Sequence, residues 1–455
     1  MLAGWPEELT PALPAHLASQ RWFSGTEAPP PGSVTVRSAR RLWSDGSDRE
    51  LWQVLVDVEG DCYQLILGVR PAGEPADFLR GHEGAVVGVA EGVYVYDAAW
   101  DSELARVLLE VVSDGRESAE LARPMTAEQS NTSLVYDDRL ILKVFRRLRA
   151  GRNPDVEVTT ALARAGFAHV AAPLVEWRDE TYDLAFGQQF LAGGAEGWAL
   201  ALTSLRDLYS NPECETPADA GGDFGAEAGR LGLVTAEMHV ALHDVFGPAG
   251  TDVARAGWEL LVEGLPGRLE HAGRKAEKDL LTPARPILER LREVSDPGPA
   301  FRVHGDFHLG QVMRTDLGWY VLDFEGEPAR TVEQRLAPAS PIKDVTGMLR
   351  SFHYASRHAL VERAVAEWPE MMPTARAWES HNRQAFLDGY LGHPEVAALL
   401  PDPAASPAVM VAYELDKALY ELEYELSFRP KWVPIPLDAL ERLVEGGGNE
   451  GSDGD

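Results

Sequence analysis

A chain of 455 residues is too long for one ordinary hydrophobic core, so two or three domains or lobes are expected. Its 45% hydrophobic and 25% charged residues are those of a soluble globular protein. The net charge of −30 argues against nucleic acid or an anionic membrane as partner, since both need a cationic surface, and suits a neutral or cationic small substrate.

In chain order, residues 1–20 read as a short helix, and "QRWFSGTEAPPPGS" breaks that pattern with glycine and prolines. The start lacks the basic end and long apolar run of a signal peptide, and no stretch approaches about eighteen uninterrupted apolar residues, so a cytoplasmic chain without a membrane span is expected. From 33 to about 110 the runs "SVTVRSARRLW", "ELWQVLVDV", "CYQLILGV" and "GVYVYDAAW" alternate with period two, which is sheet behaviour. The helix "SELARVLLEVVSDG" follows. "SNTSLVYDDRLILKVFRRL" reads as a hairpin turning on Asp-Asp, and "NPDVEVTTALARAGF" as a helix with Asn153 as N-cap and Pro154 at its first position. "VAAPLVEW" and "YDLAFGQQFL" are strand-like again. Beyond about residue 200 helical periodicity dominates, with one β-like hairpin inserted at 303–327 and a Gly-rich acidic tail that reads as disordered. Cys62 and Cys214 lie far apart without metal-like spacing, so reduced thiols are expected rather than a disulfide scaffold or zinc site.

The inserted hairpin carries the chemistry. In "VHGDFHLGQVMRTDLGWYVLDFEGE", Asp306 on a tight turn is placed to orient and deprotonate a hydroxyl. Gln311 and Asp323 offer the hard oxygen ligands that Mg²⁺ takes beside nucleotide phosphates and water. The spacing follows the catalytic-loop and metal-binding elements of protein kinases, with Gln in place of Asn and "DFE" in place of "DFG". Lys143 alternates with apolar residues in a strand, as a phosphate-binding kinase lysine does, and Glu157 on the next helix is its expected partner, with Asp155 competing. Ser130, Asn131, Thr132 and Ser133 stand where a kinase has its glycine-rich loop and offer hydroxyls, an amide and N–H groups to phosphates. Gln189 and Leu191, after a strand, are the expected backbone contacts to adenine at an interlobe hinge.

Together these segments, with "QRWFSG", "SPIKDVTGMLRSFHYA", "YELDKALYELEYE" and "RPKWVPIPL", resemble the actinobacterial maltokinase family and its glucosamine kinase branch, related to the aminoglycoside phosphotransferases. The match runs from residue 20 to 437. The resemblance implies an α+β, bilobal protein-kinase-like fold: a cap subdomain over 1–110, a β-rich nucleotide-binding part over 111–198, a helical acceptor lobe over 199–445 and a disordered tail over 446–455. It implies ATP and Mg²⁺ as cofactors, with Lys143 on the phosphates, Asp306 as base, and Gln311 and Asp323 on the metal. A monomer is compatible with the sequence.

The resemblance leaves the acceptor between glucosamine, giving glucosamine 6-phosphate, and maltose, giving maltose 1-phosphate. Typical maltokinases have a basic stretch where this chain has the acidic, proline-rich "SGTEAPPPG", and a cationic amine needs a carboxylate partner, which tips the reading to glucosamine. Glu379, Glu414, Asp416, Glu421 and Glu425 are the candidate acids, with His308 and His381 beside them and Trp378 and Trp432 to stack on a sugar. The last four acids share "ELDKALYELEYEL", a pattern that more often marks only a solvated helix face. The competing classes are a non-catalytic kinase-like binding module, suggested by the glycine-free loop, and an aminoglycoside kinase, suggested by the acidic acceptor half.

Overall fold

A computed structural model describes residues 7–449 apart from 24, 26, 31, 47–48, 74–76, 91, 126–129, 212–215, 220–221, 329 and 362–367. The chain divides into two compact units, Met1–Thr160 with Ala171–Ala192, and Ala161–Val170 with Gly193–Asp455.

In the first unit a short helix, α1 (Leu13–Ala18), precedes the strands β1 (Val34–Ser44), β2 (Glu50–Val58), β3 (Asp61–Pro71), β4 (Val86–Ala90) and β5 (Val93–Asp97). They form an antiparallel sheet ordered β1-β2-β3-β5-β4. β2 and β3 are buried along nearly their whole length, because α1 covers one face and α2 (Ser102–Val112) the other. Asp101 caps α2 by accepting from the N–H groups of Glu103 and Leu104.

A second antiparallel sheet follows, ordered β10-β11-β8-β7-β6, from β6 (Ala122–Pro124), β7 (Asn131–Tyr136), β8 (Leu140–Phe145), β10 (Pro173–Arg178) and β11 (Asp183–Gln189). The two-residue β9 (Arg147–Leu148) instead pairs with β3. β7 and β8 turn through Asp137, Asp138 and Arg139, with Asp137 and Asp138 at φ values of 51° and 49° and the Arg139 N–H closing the turn on the Tyr136 carbonyl at 2.9 Å. Asn153 accepts from the N–H groups of Asp155 and Val156 and so caps α3 (Pro154–Arg164). Both features were expected.

The second unit is helical around one small sheet, β12 (Ala195–Glu196), β13 (Val312–Thr315) and β14 (Gly318–Val321). Its helices are α4 (Gly197–Tyr209), α5 (Gly225–Phe246), α6 (Thr251–Lys275), α7 (Leu281–Glu293), α8 (Val332–Leu336), α9 (Ile342–Val361), α10 (Trp368–Leu391), α11 (Ser406–Phe428) and α12 (Pro434–Asn449). The apolar seams of α6, α7, α11 and α12 form one core. α12 runs to Asn449, so the first residues of the expected disordered tail are helical, and 450–455 lie outside the described residues.

α5 and α10 approach so closely that only glycine fits at the crossing. A Cβ at Gly389 would collide with the Gly229 carbonyl oxygen, and one at Gly232 with that of Phe386. Gly389→Ala is expected to destabilise the protein by about 1–3 kcal/mol, because two backbones must part. Thermal unfolding reads this directly, and an unchanged Tm would mean the helices part without cost.

Candidate active site

The loop 303–311 is shaped by one buried carboxylate. Asp344, near the start of α9, accepts the His304 N–H at 2.8 Å on one oxygen and the Gly305 N–H at 2.8 Å on the other. His239 of α5 reaches the first oxygen at 3.2 Å, and its other ring nitrogen meets the Tyr390 hydroxyl at 2.9 Å. Burial alone would raise the Asp344 carboxyl, but the bond from His239 and the nearby charges hold it below the usual range. Gly305 takes a φ of 87°, which a β-carbon would resist, and this turns the chain so that Asp306 follows directly. The His304 Nδ1 accepts the Asp306 N–H at 3.4 Å, which leaves Nε2–H to donate to the Leu322 carbonyl at 2.9 Å. The loop is thereby tied to the strand end that leads to Asp323.

Asp306 is paired with a lysine that the sequence analysis passed over. Lys417 of α11 places its Nζ 2.8 Å from Asp306 Oδ1 and 2.9 Å from Glu327 Oε1. The chain of charges continues through Arg330, 3.0 Å from Glu327 and 3.2 Å from Asp416, to Arg268, which also bonds Asp416. Burial would raise Asp306, yet Lys417, and after it His308, hold it far below the usual carboxylate range. Conversely, burial would lower Lys417, and the two carboxylates push it well above its ordinary value. A buried lysine between two acids stays charged and keeps both acids ionised. Its signal was the one cation in "ELDKALYELEYEL", masked by its resemblance to an exposed face.

Gln311 and Asp323 are brought together by the β13–β14 register. Val312 pairs with Val321, so the residues flanking the hairpin's open end meet, and Gln311 Nε2 lies 3.3 Å from Asp323 Oδ2. Asp323 has a φ of 61°, unusual for a residue with a side chain. Among the described residues no cation pairs with its carboxylate. Turning the Gln311 amide over exchanges its oxygen and nitrogen without moving heavy atoms, so the two residues can present two hard oxygens to one ion. That donor set fits Mg²⁺, with phosphate and water completing the shell. His308, 3.9 Å from Asp306 through Nε2, is held below its ordinary pKa by burial, and its Nδ1 accepts from the Gly310 N–H.

In the first unit, Lys143 on β8 lies between Ser133 of β7 and Phe186 of β11, and its Nζ is 3.0 Å from Asp155 Oδ2. The ion pair thus goes to Asp155, the competing acid, rather than to the expected Glu157. Asp155 stands at the buried start of α3, where the helix dipole favours a carboxylate, and a residue two positions on points to another side of the helix. Asn131, Thr132 and Ser133 correct a second expectation, since they lie within β7 rather than on a loop. Thr132 accepts from Arg146, and Ser133 is fully buried. Exposed Ser130 remains beside 126–129, which are outside the described residues. The Gln189 N–H is spent on the Ala172 carbonyl at 2.9 Å, which leaves its carbonyl for the expected backbone contact, whereas the Leu191 N–H meets no acceptor among the described residues.

The acids proposed for the amine are mostly neutralised. Glu379 is buried, and burial alone would raise it; His353, Arg357 and Arg442 hold it well below the usual range. Arg383 takes Glu414 at 2.6 Å, Arg350 takes Glu421, and Tyr354 and Arg429 take Glu425. Asp416 belongs to the Arg268–Arg330 chain. His381 bonds Asp223 at 2.9 Å, and Trp378 is buried with its N–H on Ser204. Trp432 already packs against Tyr354 and His358 with Arg429 above it. One further acid, Glu423, has no cation partner among the described residues and lines a cavity of about 380 Å³ with Arg268, Arg330, Gln334, Tyr420, Tyr424 and Phe428.

Residues 122–378 match the phosphotransferase enzyme family, over more than half the chain. The protein belongs to that family. Residues 16–101 match the maltokinase N-terminal cap domain. A glucosamine kinase of Mycolicibacterium smegmatis is 28% identical over 356 residues, 74% of this chain and 83% of that protein. A glucosamine kinase of Streptacidiphilus jiangxiensis is 28% identical over 344 residues, 71% of this chain and 73% of its own length. Among solved structures, a glucosamine kinase in complex with glucosamine, ADP and inorganic phosphate superposes with a TM-score of 0.66 at 22% identity, over 97% of this chain and 100% of that one. The α+β, kinase-like fold expected from the sequence is therefore shown, and the phosphotransferase is an enzyme of the kinase class.

The Asp306–Lys417 pair makes a pH prediction. A carboxyl held low stays ionised as pH falls, so wild-type kcat is expected to show no acid limb from Asp306 between about pH 5 and 8. Lys417→Met leaves burial as the dominant influence and raises the Asp306 carboxyl. It should bring an acid limb into that range and lower stability by about 3–5 kcal/mol. A Lys417→Met profile parallel to wild type would mean that Lys417 does not set the state of Asp306.

Proposed function

We propose that this kinase transfers the γ-phosphoryl group of ATP to glucosamine, giving glucosamine 6-phosphate. The observation that carries the reading is Asp306, kept ionised by a buried lysine, in one hairpin segment with the Gln311–Asp323 donor pair.

The acceptor hydroxyl hydrogen-bonds to the Asp306 carboxylate, which orients the oxygen and takes its proton as the phosphoryl group arrives. Because Asp306 is a weak base, its contribution is chiefly orientation, with proton transfer late, as suits a loose phosphoryl-transfer transition state. Lys417 supplies positive charge beside the reacting oxygens and keeps the carboxylate in one rotamer. Gln311 and Asp323 hold Mg²⁺, which when bound neutralises charge on the phosphates. Lys143, aligned by Asp155, takes the nucleotide's phosphates, and Leu191 offers its N–H to the adenine edge. The four elements a noncatalytic module would not need together, Lys143, Asp306, Gln311 and Asp323, are all intact, which supports an enzyme over a binding module.

The names of the two relatives support glucosamine. The match of residues 16–101 to the maltokinase cap domain favours the runner-up, maltose with maltose 1-phosphate as product. The reading is tested by coupled ADP release with ATP and Mg²⁺ against glucosamine, maltose, glucose and kanamycin. Turnover on glucosamine is expected, falling by about 10²–10⁴ in Asp306→Asn while ATP binding persists. Turnover on maltose alone would replace the acceptor, and full activity in Asp306→Asn would sink the assignment of the base.

With the other acids neutralised, Glu423 is the carboxylate we assign to the glucosamine ammonium. Glu423→Gln should raise KM for glucosamine about tenfold and leave KM for ATP unchanged. An equal rise in both would show a structural rather than an acceptor role.

A further inference from the structure

Asn131 and Thr132, once read as phosphate-loop residues, line a different cavity. It measures about 350 Å³ and is built wholly within the first unit, between the "SQRW" segment, the 81–85 turn, the end of β5 and the start of β7. Its wall is a stacked pair, the His82 imidazole on the Trp100 indole at 3.7 Å and 22°. Its floor is a buried ion pair, Arg146 to Asp97 at 2.6 Å, with Arg146 also donating to Thr132 at 2.8 Å and lying over the Trp22 ring at 5.3 Å. Arg146 is 1% exposed and Asp97 is 2% exposed. The Asn131 amide has no partner among the described residues.

We infer that this cavity, where the His82–Trp100 stack faces Asn131, Thr132 and the Asp97–Arg146 pair, binds a neutral sugar. Three features of the site select that chemistry. The Asp97–Arg146 pair offsets its own charge, and Arg146 Nη1, buried without a partner among the described residues, and Arg21, which also lines the cavity, supply donors for hydroxyl oxygens. The aromatic wall offers a flat apolar face, which takes the C–H side of a pyranose ring. The polar groups include both donors and acceptors, which hydroxyls of either role can satisfy. The volume lies within the range of small-molecule sites and accommodates a hexose ring with water.

The site is distinct from the acceptor site, which is read as taking an amine and lies on residues of the second unit. It also adjoins the nucleotide-binding strands. Arg146 follows β8, the strand of Lys143, directly, and Asn131 opens β7 after 126–129. A sugar held there bears on the two strands that flank that segment and carry the phosphate-binding lysine. Nothing in this inference depends on the identity of the phosphorylated acceptor.

Ligand-observed NMR titration of the full chain with glucose, in the absence of nucleotide, tests the inference. Saturable binding is expected, weakened about tenfold or more in His82→Ala, with the rate of the kinase reaction in the absence of glucose unchanged. Asn131→Ala, which removes an unpartnered amide, should weaken it too and serves where His82→Ala fails to fold, as judged by circular dichroism. No saturable binding into the high-millimolar range would overturn the inference. So would binding equal in wild type and both variants, which would place glucose elsewhere, or binding of adenosine in preference to glucose, which would make the cavity a nucleobase pocket.

Discussion

The course of the 303–311 loop in the second unit depends on one buried carboxylate, Asp344. Its two oxygens take two successive backbone N–H groups of the loop, so they fix the direction of the peptide between His304 and Gly305. A loop crossing a packed interior must satisfy its amides, and here an acid on α9 does it where a sheet neighbour otherwise would. His239 then holds the acid and Tyr390 holds His239, so α5, α9 and α10 are coupled to the loop through hydrogen bonds. The glycine contact between α5 and α10 belongs to the same device, because separation of those helices would draw His239 from Tyr390 and from Asp344. Packing at a distance from the chemistry therefore sets where Asp306 stands.

The acidic composition is also a matter of local balance. A net charge of −30 suggests free carboxylates facing a cationic substrate, but the acids of α10 and α11 that pack inward are each held by a basic side chain. Burying a charge costs several kcal/mol unless a partner and hydrogen bonds compensate it, so an inward acid in a folded protein comes with its base. The one-sided count therefore describes the outer surface, which governs encounter and solubility. Asp323 and Glu423, which have no basic partner among the described residues, differ in this from Glu379, Glu414 and Glu421.

Local patterns explain what was legible. The hairpin at Asp137–Asp138, the capped start of α3 at Asn153 and the alternating strands of the first sheet are set by residues a few positions apart, and the sequence showed each of them. The meeting of Gln311 with Asp323 was legible for the same reason, since both lie with Asp306 within one hairpin segment. Lys417 comes 111 residues after Asp306, and no local rule joins them. The choice between Asp155 and Glu157 turned on which side of α3 faces β8, a question of helix phase that a cap residue does not answer. Thr132 was misassigned because its partner, Arg146, lies across a strand pair and points toward the first sheet, where composition gives no hint of it.

Asp323 shows how the two kinds of information meet. A side-chain-bearing residue in the left-handed region costs on the order of 1 kcal/mol or more relative to an extended one, and nothing in packing alone would keep it there. The hairpin does. Leu322 is held on both sides, its N–H on the Gln311 carbonyl and its own carbonyl on His304, so the strand cannot relax by rotating that peptide. The chain must then leave β14 at Asp323 by a sharp change of direction, and Gly326, at a φ of 73°, completes the turn before Glu327 reaches Lys417. The strain at Asp323 and the salt bridge at Glu327 are two ends of one constrained segment. Its consequence is that the Asp323 carboxylate is aimed before any ligand arrives, which is the preorganisation that electrostatic catalysis requires.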